Sequence, residues 1–187
     1  MTEKHEQDSV NSPATPWRLM EIILDKENQF DVPYSMCHEV YPNIIIGGKT
    51  PARNKSMLVD LGITHIVNCA QGDAYGFVNT DQHYYQDVGF QFYAIKARDQ
   101  IGFSILPYLK PTADYIHQAL LSGGKVFVHC CSGYSRAPTV VISYLMHHKH
   151  MDVRDALTQV RSKRRVAPNA SFREQLCELN AELFSNK

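Results

Sequence analysis

The sequence has no excess of charge of either sign: 19 Lys and Arg stand against 19 Asp and Glu, giving a formal net charge of zero. A chain so balanced has no basic field to draw it to nucleic acid. It also lacks a Cys-x-x-Cys pair. Its five cysteines (Cys37, Cys69, Cys130, Cys131 and Cys177) are odd in number and scattered, which argues against a disulfide framework or a structural zinc site. Reduced thiols in an intracellular compartment are the expectation. Long hydrophobic runs are missing too. The apolar stretches at 44–46 and 140–146 are far too short to span a bilayer. The first sixteen residues are polar, with no apolar segment of the kind a secretory signal needs.

What remains is the composition of a soluble globular protein, 44% hydrophobic over 187 residues, enough for one domain and a tail. Residues 1–15 are too poor in apolar groups to order, so a disordered polar tail is expected there. Residues 16–28 form the next unit. Trp17, Leu19, Met20, Ile22, Ile23 and Leu24 make a short helix suited to docking, either on the domain or on a second copy. The domain proper is placed at 29–187.

Within the domain, residues 41–48 read as a strand closed by glycines, followed by a short helix around Met57, Leu58 and Leu61 that ends at Gly62. The β-branched run 63–68 and the run 90–96 are strands. The loop between them is expected to hold a short helix near 80–86. Residues 104–121 have helical period, and Pro111 requires the helix either to start near it or to kink. A strand at 125–129 is followed by helices at 138–148, 153–162 and 171–183. Strands alternating with helices predict an α/β fold, a central, largely parallel sheet flanked by helices. His147, His148 and His150 near a helix end read as a solvated face rather than a metal tract.

The chemistry concentrates in His129-Cys130-Cys131-Ser132-Gly133-Tyr134-Ser135-Arg136, between a buried strand and the start of a helix. A tight loop there turns its backbone N–H groups toward one point and forms an anion nest at a helix N-terminus. Gly133 allows the turn. Arg136 adds a planar fork of donors matched to two oxygens of a phosphate. The same groups that hold a phosphate also favour a thiolate at Cys130, which makes a nucleophile at the floor of an oxyanion pocket.

Cys-x5-Arg within His-Cys-x-x-Gly-x-Ser-Arg resembles the signature of the cysteine-dependent tyrosine and dual-specificity protein phosphatases. Five such residues arise by chance with a probability on the order of 10⁻⁴ in a chain of this length. The likeness extends through Gly62-Ile63-Thr64-His65, Val78-Asn79-Thr80, Ile95-Lys96-Ala97-Arg98-Asp99, Ala156-Leu157 with Val160-Arg161, and Pro168-Asn169. Those segments resemble the small atypical dual-specificity phosphatases of the VHR type, over about residues 40–183.

The resemblance implies a protein tyrosine phosphatase-like fold and hydrolysis of phosphotyrosine and of phosphoserine or phosphothreonine through a phosphocysteine at Cys130. It implies Asp99, 31 residues before the nucleophile, as general acid. Ser135 is implied to hydrogen-bond the departing thiolate, and His129 to support the loop and the thiolate from behind. Cys131, Ser132, Gly133, Tyr134, Ser135 and Arg136 would hold the phosphate, with no metal and no other cofactor required. Ala137 replaces a common Ser without removing a catalytic group. Cys131 reads as a packing residue, with a redox role as the alternative.

Substrate reach is expected to come from a shallow pocket whose entrance is lined by Asp73, Tyr75, Gly76 and Tyr134. Arg164 stands where VHR-like enzymes place a basic residue at a second phosphate site. It could equally be one charge in a solvated cluster with Arg161, Lys163 and Arg165. The first option would make doubly phosphorylated loops, such as those of MAP kinases, substrates. The expected partners are therefore phosphorylated proteins, MAP kinases among them, and neither nucleic acid nor membrane. The expected states are a monomer or a weak homodimer through the N-terminal helix, in the cytoplasm, the nucleus or both. The loop carries no Lys, which speaks against phosphoinositides. A phospho-binding module without turnover is the alternative class, but Cys130, Asp99 and Arg136 are all present.

Overall fold

In the computed structural model, residues 14–24 and 36–184 are described. Most of the expected tail, the end of the expected N-terminal helix and residues 185–187 lie outside them. Helix α1 covers Pro16–Ile23. It starts where Thr15 accepts the Arg18 N–H and where Pro16 fits a first helical position. Leu19 and Ile23, one turn apart, are buried against α6 (Val153–Arg161) and α7 (Ala170–Phe184) of the same chain.

The sheet has five strands in the order β1-β2-β5-β3-β4. Strands β2 (Ile44–Gly47), β5 (Val126–His129), β3 (His65–Asn68) and β4 (Gln91–Ala94) run parallel, and β1 (Cys37–Tyr41) is antiparallel at one edge. The central strands are apolar at successive positions because both faces are covered. Side-chain alternation sorts them. Ile44, Ile46, Val67, Val126 and Val128 face the larger core, while Ile45, Ile66 and Phe127 face a smaller one with Leu58, Tyr85 and Phe90.

The smaller core is closed by α2 (Lys49–Ala52) and α3 (Lys55–Asp60), and Gly62 beyond α3 has φ +72 as a helix terminator needs. The larger core is closed by α4 (Leu106–Leu121), α5 (Arg136–Lys149), α6 and α7. Residues 136–146 of α5 are buried on every side.

Several expectations are corrected. Strand β1 and helix α2 were not foreseen. The segment expected as a helix at 80–86 is turn, with only a 3₁₀ turn at Gln86–Val88. Helix α4 starts five residues before Pro111 and runs through it. Pro111 costs the helix one hydrogen bond, the one its missing N–H would have made to the Pro107 carbonyl, and the helix continues through it. His147 and His148 are half-buried rather than solvated. His148 bonds the Asp114 carboxylate at 2.9 Å and stacks on His117 with centroids 4.1 Å apart. No described helix is long and apolar enough to cross a membrane.

Candidate active site

Strand β5 ends at His129, and the chain reaches Arg136, the first residue of α5, through six residues, of which the last five (131–135) have their carbonyls engaged from outside the loop or by the helix. Lys49 N–H donates to Cys131 O at 2.8 Å, and Ala167 N–H to Tyr134 O at 2.9 Å. Thr139 takes Ser135 O with both its N–H and its hydroxyl. The Arg164 guanidinium donates to Ser132 O and Gly133 O, each at 3.0 Å. With the carbonyls engaged outside, the N–H groups of Cys131, Ser132, Gly133 and Ser135 form no hydrogen bond among the described residues. They are what an anion would fill. Gly133 makes the turn possible: its φ is +68, and a Cβ there would lie 2.6 Å from Gly47 O.

Cys130 is fully buried at the start of this loop. Arg136 is 3% exposed, and its guanidinium links two surrounding loops by donating to Gly76 O at 2.9 Å and Ala97 O at 3.1 Å. Its Nε has no hydrogen bond and lies 3.6 Å from the Asp99 carboxylate. An arginine anchored on one side with a buried donor left over is a preformed half of a bidentate anion site.

Asp99 follows β4 on the loop over the cleft. Its Oδ1 accepts the Ser135 hydroxyl at 2.7 Å and the Asn169 amide at 2.9 Å. In this state the Ser135 hydroxyl is directed at Asp99, a charged acceptor; the bond to the departing thiolate that the resemblance implies belongs to the later hydrolysis step. The loop is tied further along. Gln175, buried on α7, accepts the N–H groups of Ile105 and Leu106 and donates to Phe103 O at 2.9 Å. Gly102 N–H reaches the Ser171 hydroxyl at 3.3 Å. The other wall, 71–80, hangs from buried Asn68, whose amide donates to Val78 O and Thr80 and accepts the Ala70 N–H.

The cleft between these walls is about 380 Å³ and is lined by Ala74, Tyr75, Gly76, Phe77, Arg98, Asp99, Gln100 and Arg136. The structure thus brings Asp99, Ser135 and Arg136 together, with Cys130 buried at the start of the same loop and Tyr75 fully exposed at the rim. Tyr134 is instead half-buried against the larger core, and Asp73 is not part of the lining. Cys131 packs on the 74–77 loop, its thiol 3.6 Å from Phe77 O.

Two placements change the expected roles. Arg164 is neither at the entrance nor in a solvated cluster. It is 2% exposed and lies beneath the loop, its guanidinium committed to loop carbonyls and to His38 Nδ1. The turn after α6 points this one arginine inward and leaves Lys163 and Arg165 outside. His129 is fully buried on the smaller-core side, stacked on Phe127 at 5.7 Å. Burial pushes its pKa down to about 3, with the nearby Arg136 and Arg53 cations adding to the effect. A neutral imidazole supports Cys130 by packing and dipole rather than by charge. Burial also keeps the neighbouring Cys69 thiol well above its ordinary range, with Cys130 adding to it. Asn169, Gln175, Asn68 and Arg98 were not singled out from sequence as site residues. The Pro-Asn pair ahead of a helix was the one available signal.

The family model described as "Dual specificity phosphatase, catalytic domain" matches residues 44–182. The human "Dual specificity protein phosphatase 13B" is 38% identical over 146 residues, covering 78% of this chain and 73% of that protein. The crystal structure of the human tyrosine phosphatase-like serine/threonine/tyrosine-interacting protein superposes with a TM-score of 0.70 at 31% identity, covering 78% and 96% of the two chains. Human DUSP28 shares the fold with a TM-score of 0.70 at 24% identity, covering 82% and 99%.

Proposed function

Because this chain belongs to the dual specificity phosphatase family, whose members are protein-tyrosine/serine/threonine phosphatases, we propose that it hydrolyses phosphorylated proteins by way of a phosphocysteine formed on Cys130. One observation supports this most directly. The loop that begins at Cys130 leaves the N–H groups of Cys131, Ser132, Gly133 and Ser135 and the buried Nε of Arg136 unengaged, with Asp99 3.6 Å from that Nε.

In the first step the Cys130 thiolate attacks phosphorus, the P–O ester bond breaks, and the leaving oxygen takes a proton from Asp99. The loop N–H groups and Arg136 bind the equatorial oxygens as charge builds on them. In the second step water attacks phosphorus, gives its proton to the Asp99 carboxylate, and the S–P bond breaks to return the thiolate. Ser135 can serve both states by rotating its hydroxyl from Asp99 toward the sulfur. His129 and Arg164 hold the loop from below.

The short walls at 74–77 and 98–100 support access for phosphoserine and phosphothreonine as well as phosphotyrosine. The expectation of MAP kinase substrates rested on Arg164 as a second phosphate site. With that side chain beneath the loop, the reading carries phosphorylated proteins as a class and no particular kinase.

The test is phosphate release from an aryl phosphate across pH, without added metal, by wild type, Cys130→Ser and Asp99→Asn. Turnover by wild type, none by Cys130→Ser and a loss of about 10² or more in Asp99→Asn on the acid side of the profile assign nucleophile and acid. A fully reduced wild type that binds phosphopeptide without turnover would make the site a binding module instead.

A further inference from the structure

The cleft contains one cation more than the chemistry uses. Its charged lining residues are Arg98, Asp99 and Arg136. Asp99 is engaged by Ser135 and Asn169, and it is protonated when it acts as acid. Arg136 is taken by the reacting phosphate. Arg98 is left over: it is exposed on the cleft wall and has no hydrogen bond or ion pair among the described residues. Several cations elsewhere are engaged, among them Lys55 by Asp87 at 2.6 Å, Lys110 by Asp114 at 2.7 Å and Arg164 by the loop carbonyls. An unpaired arginine on an open surface needs no explanation. One on the wall of a cleft that takes up a dianion raises the local potential and offers a planar fork to a second anion.

We infer that Arg98 is a specificity-determining residue that selects phosphopeptides carrying a second anionic group, a carboxylate or another phosphate, one or two residues from the one that reacts. This rests on the phosphatase reading above. An extended peptide advances about 3.3 Å per residue, so a neighbouring side chain spans a cleft of this size while the phosphate sits in the loop. The inference also gives Arg98 the selection that was expected of Arg164, at a position that solvent and substrate can reach. A peptide is favoured over an inositol phosphate because the phosphate loop itself contributes no lysine.

The experiment compares kcat/KM of wild type, Arg98→Ala and Arg98→Glu on three phosphotyrosine peptides that differ only in a flanking Glu, Ala or Lys, with an aryl phosphate as reference. Wild type should prefer the Glu peptide over the Ala peptide about threefold to tenfold, the range for one partly exposed charge contact. Added salt should erode that preference. In Arg98→Ala the ratio should fall to about one, and in Arg98→Glu the Lys peptide should become the best. Each ratio is taken within one variant, so a general loss of activity cancels. The same Glu-to-Ala ratio in all three proteins would overturn the inference and leave the phosphatase reading intact. An inositol bisphosphate turned over faster than every peptide, with that advantage lost in Arg98→Ala, would overturn the peptide assignment. If wild type hydrolyses neither peptide nor aryl phosphate, the phosphatase reading fails and the inference with it.

Discussion

Asn169 donates its side-chain amide to the Asp99 carboxylate at 2.9 Å while its amide oxygen accepts the Phe172 N–H at 3.0 Å. One residue therefore caps α7 and holds the proposed acid. Asn169→Asp separates the two tasks, since it keeps the acceptor for Phe172 and places a carboxylate against Asp99. Unfolding free energy should stay within about 1 kcal/mol of wild type, because the cap survives. Turnover of phosphoserine or phosphothreonine peptides should fall about tenfold or more. An aryl phosphate, whose leaving group needs less protonation, should be affected far less. Equal losses on both substrates would show that Asn169 acts on the loop as a whole and not through Asp99.

Gln175 anchors the other end of the acid loop through Ile105, Leu106 and Phe103. Gln175→Leu keeps the volume and removes these bonds, leaving the buried Ile105 N–H without an acceptor. The expected cost is about 2 kcal/mol of stability, read from denaturant midpoints. The kinetic signature should be a reduced kcat with affinity for a phosphate analogue such as vanadate unchanged within about twofold, because the anion nest does not involve Gln175. A parallel loss of vanadate affinity would place the defect in the phosphate loop.

Arg164 supports the phosphate loop from beneath. Arg164→Leu should cost about 3 kcal/mol, since two loop carbonyls lose a charged donor in a buried setting. It should lower turnover of a simple aryl phosphate at least as much as that of a doubly phosphorylated peptide. A loss confined to the doubly phosphorylated peptide would restore the second-phosphate reading that its burial speaks against.

The parts of the fold visible in the sequence are those set by local pattern. The runs at Ile44–Ile46 and Val126–Val128 are apolar at every position because the strands are covered on both faces, and the loop after β5 carries its chemistry in consecutive residues. Strand β1 was not visible because it is an edge strand on which Val40 alone is fully buried. The latch on the acid loop was invisible for a different reason. Asn169 meets Asp99, and Gln175 meets Ile105, each across 70 residues of chain, so nothing near either residue announces the contact. Arg164 shows the same limit on charge. Among Arg161, Lys163, Arg164 and Arg165 the letters are nearly equivalent, and only the turn after α6 decides which one is buried.

His129 gives the site a pH dependence that is a matter of stability rather than catalysis. Its folded pKa is about 3, and an unfolded histidine titrates near 6.5. As pH falls below 6.5 the unfolded chain gains a proton that the folded one refuses, so stability is complete above 6.5 and is lost progressively toward 3. At pH 5 the loss from this one group is about 2 kcal/mol relative to pH 7, set by the unfolded value alone because the folded imidazole is still neutral there. His129→Gln removes the titration while leaving a polar group of similar size. Its overall stability can be lower at pH 7, but the drop between pH 7 and pH 5 should be shallower than that of wild type by about 2 kcal/mol. Denaturant unfolding of both proteins at the two pH values measures it, and contributions from the other groups cancel in the difference. Parallel pH dependences would mean that His129 accepts a proton in the folded state, and with it that a cationic imidazole lies behind Cys130.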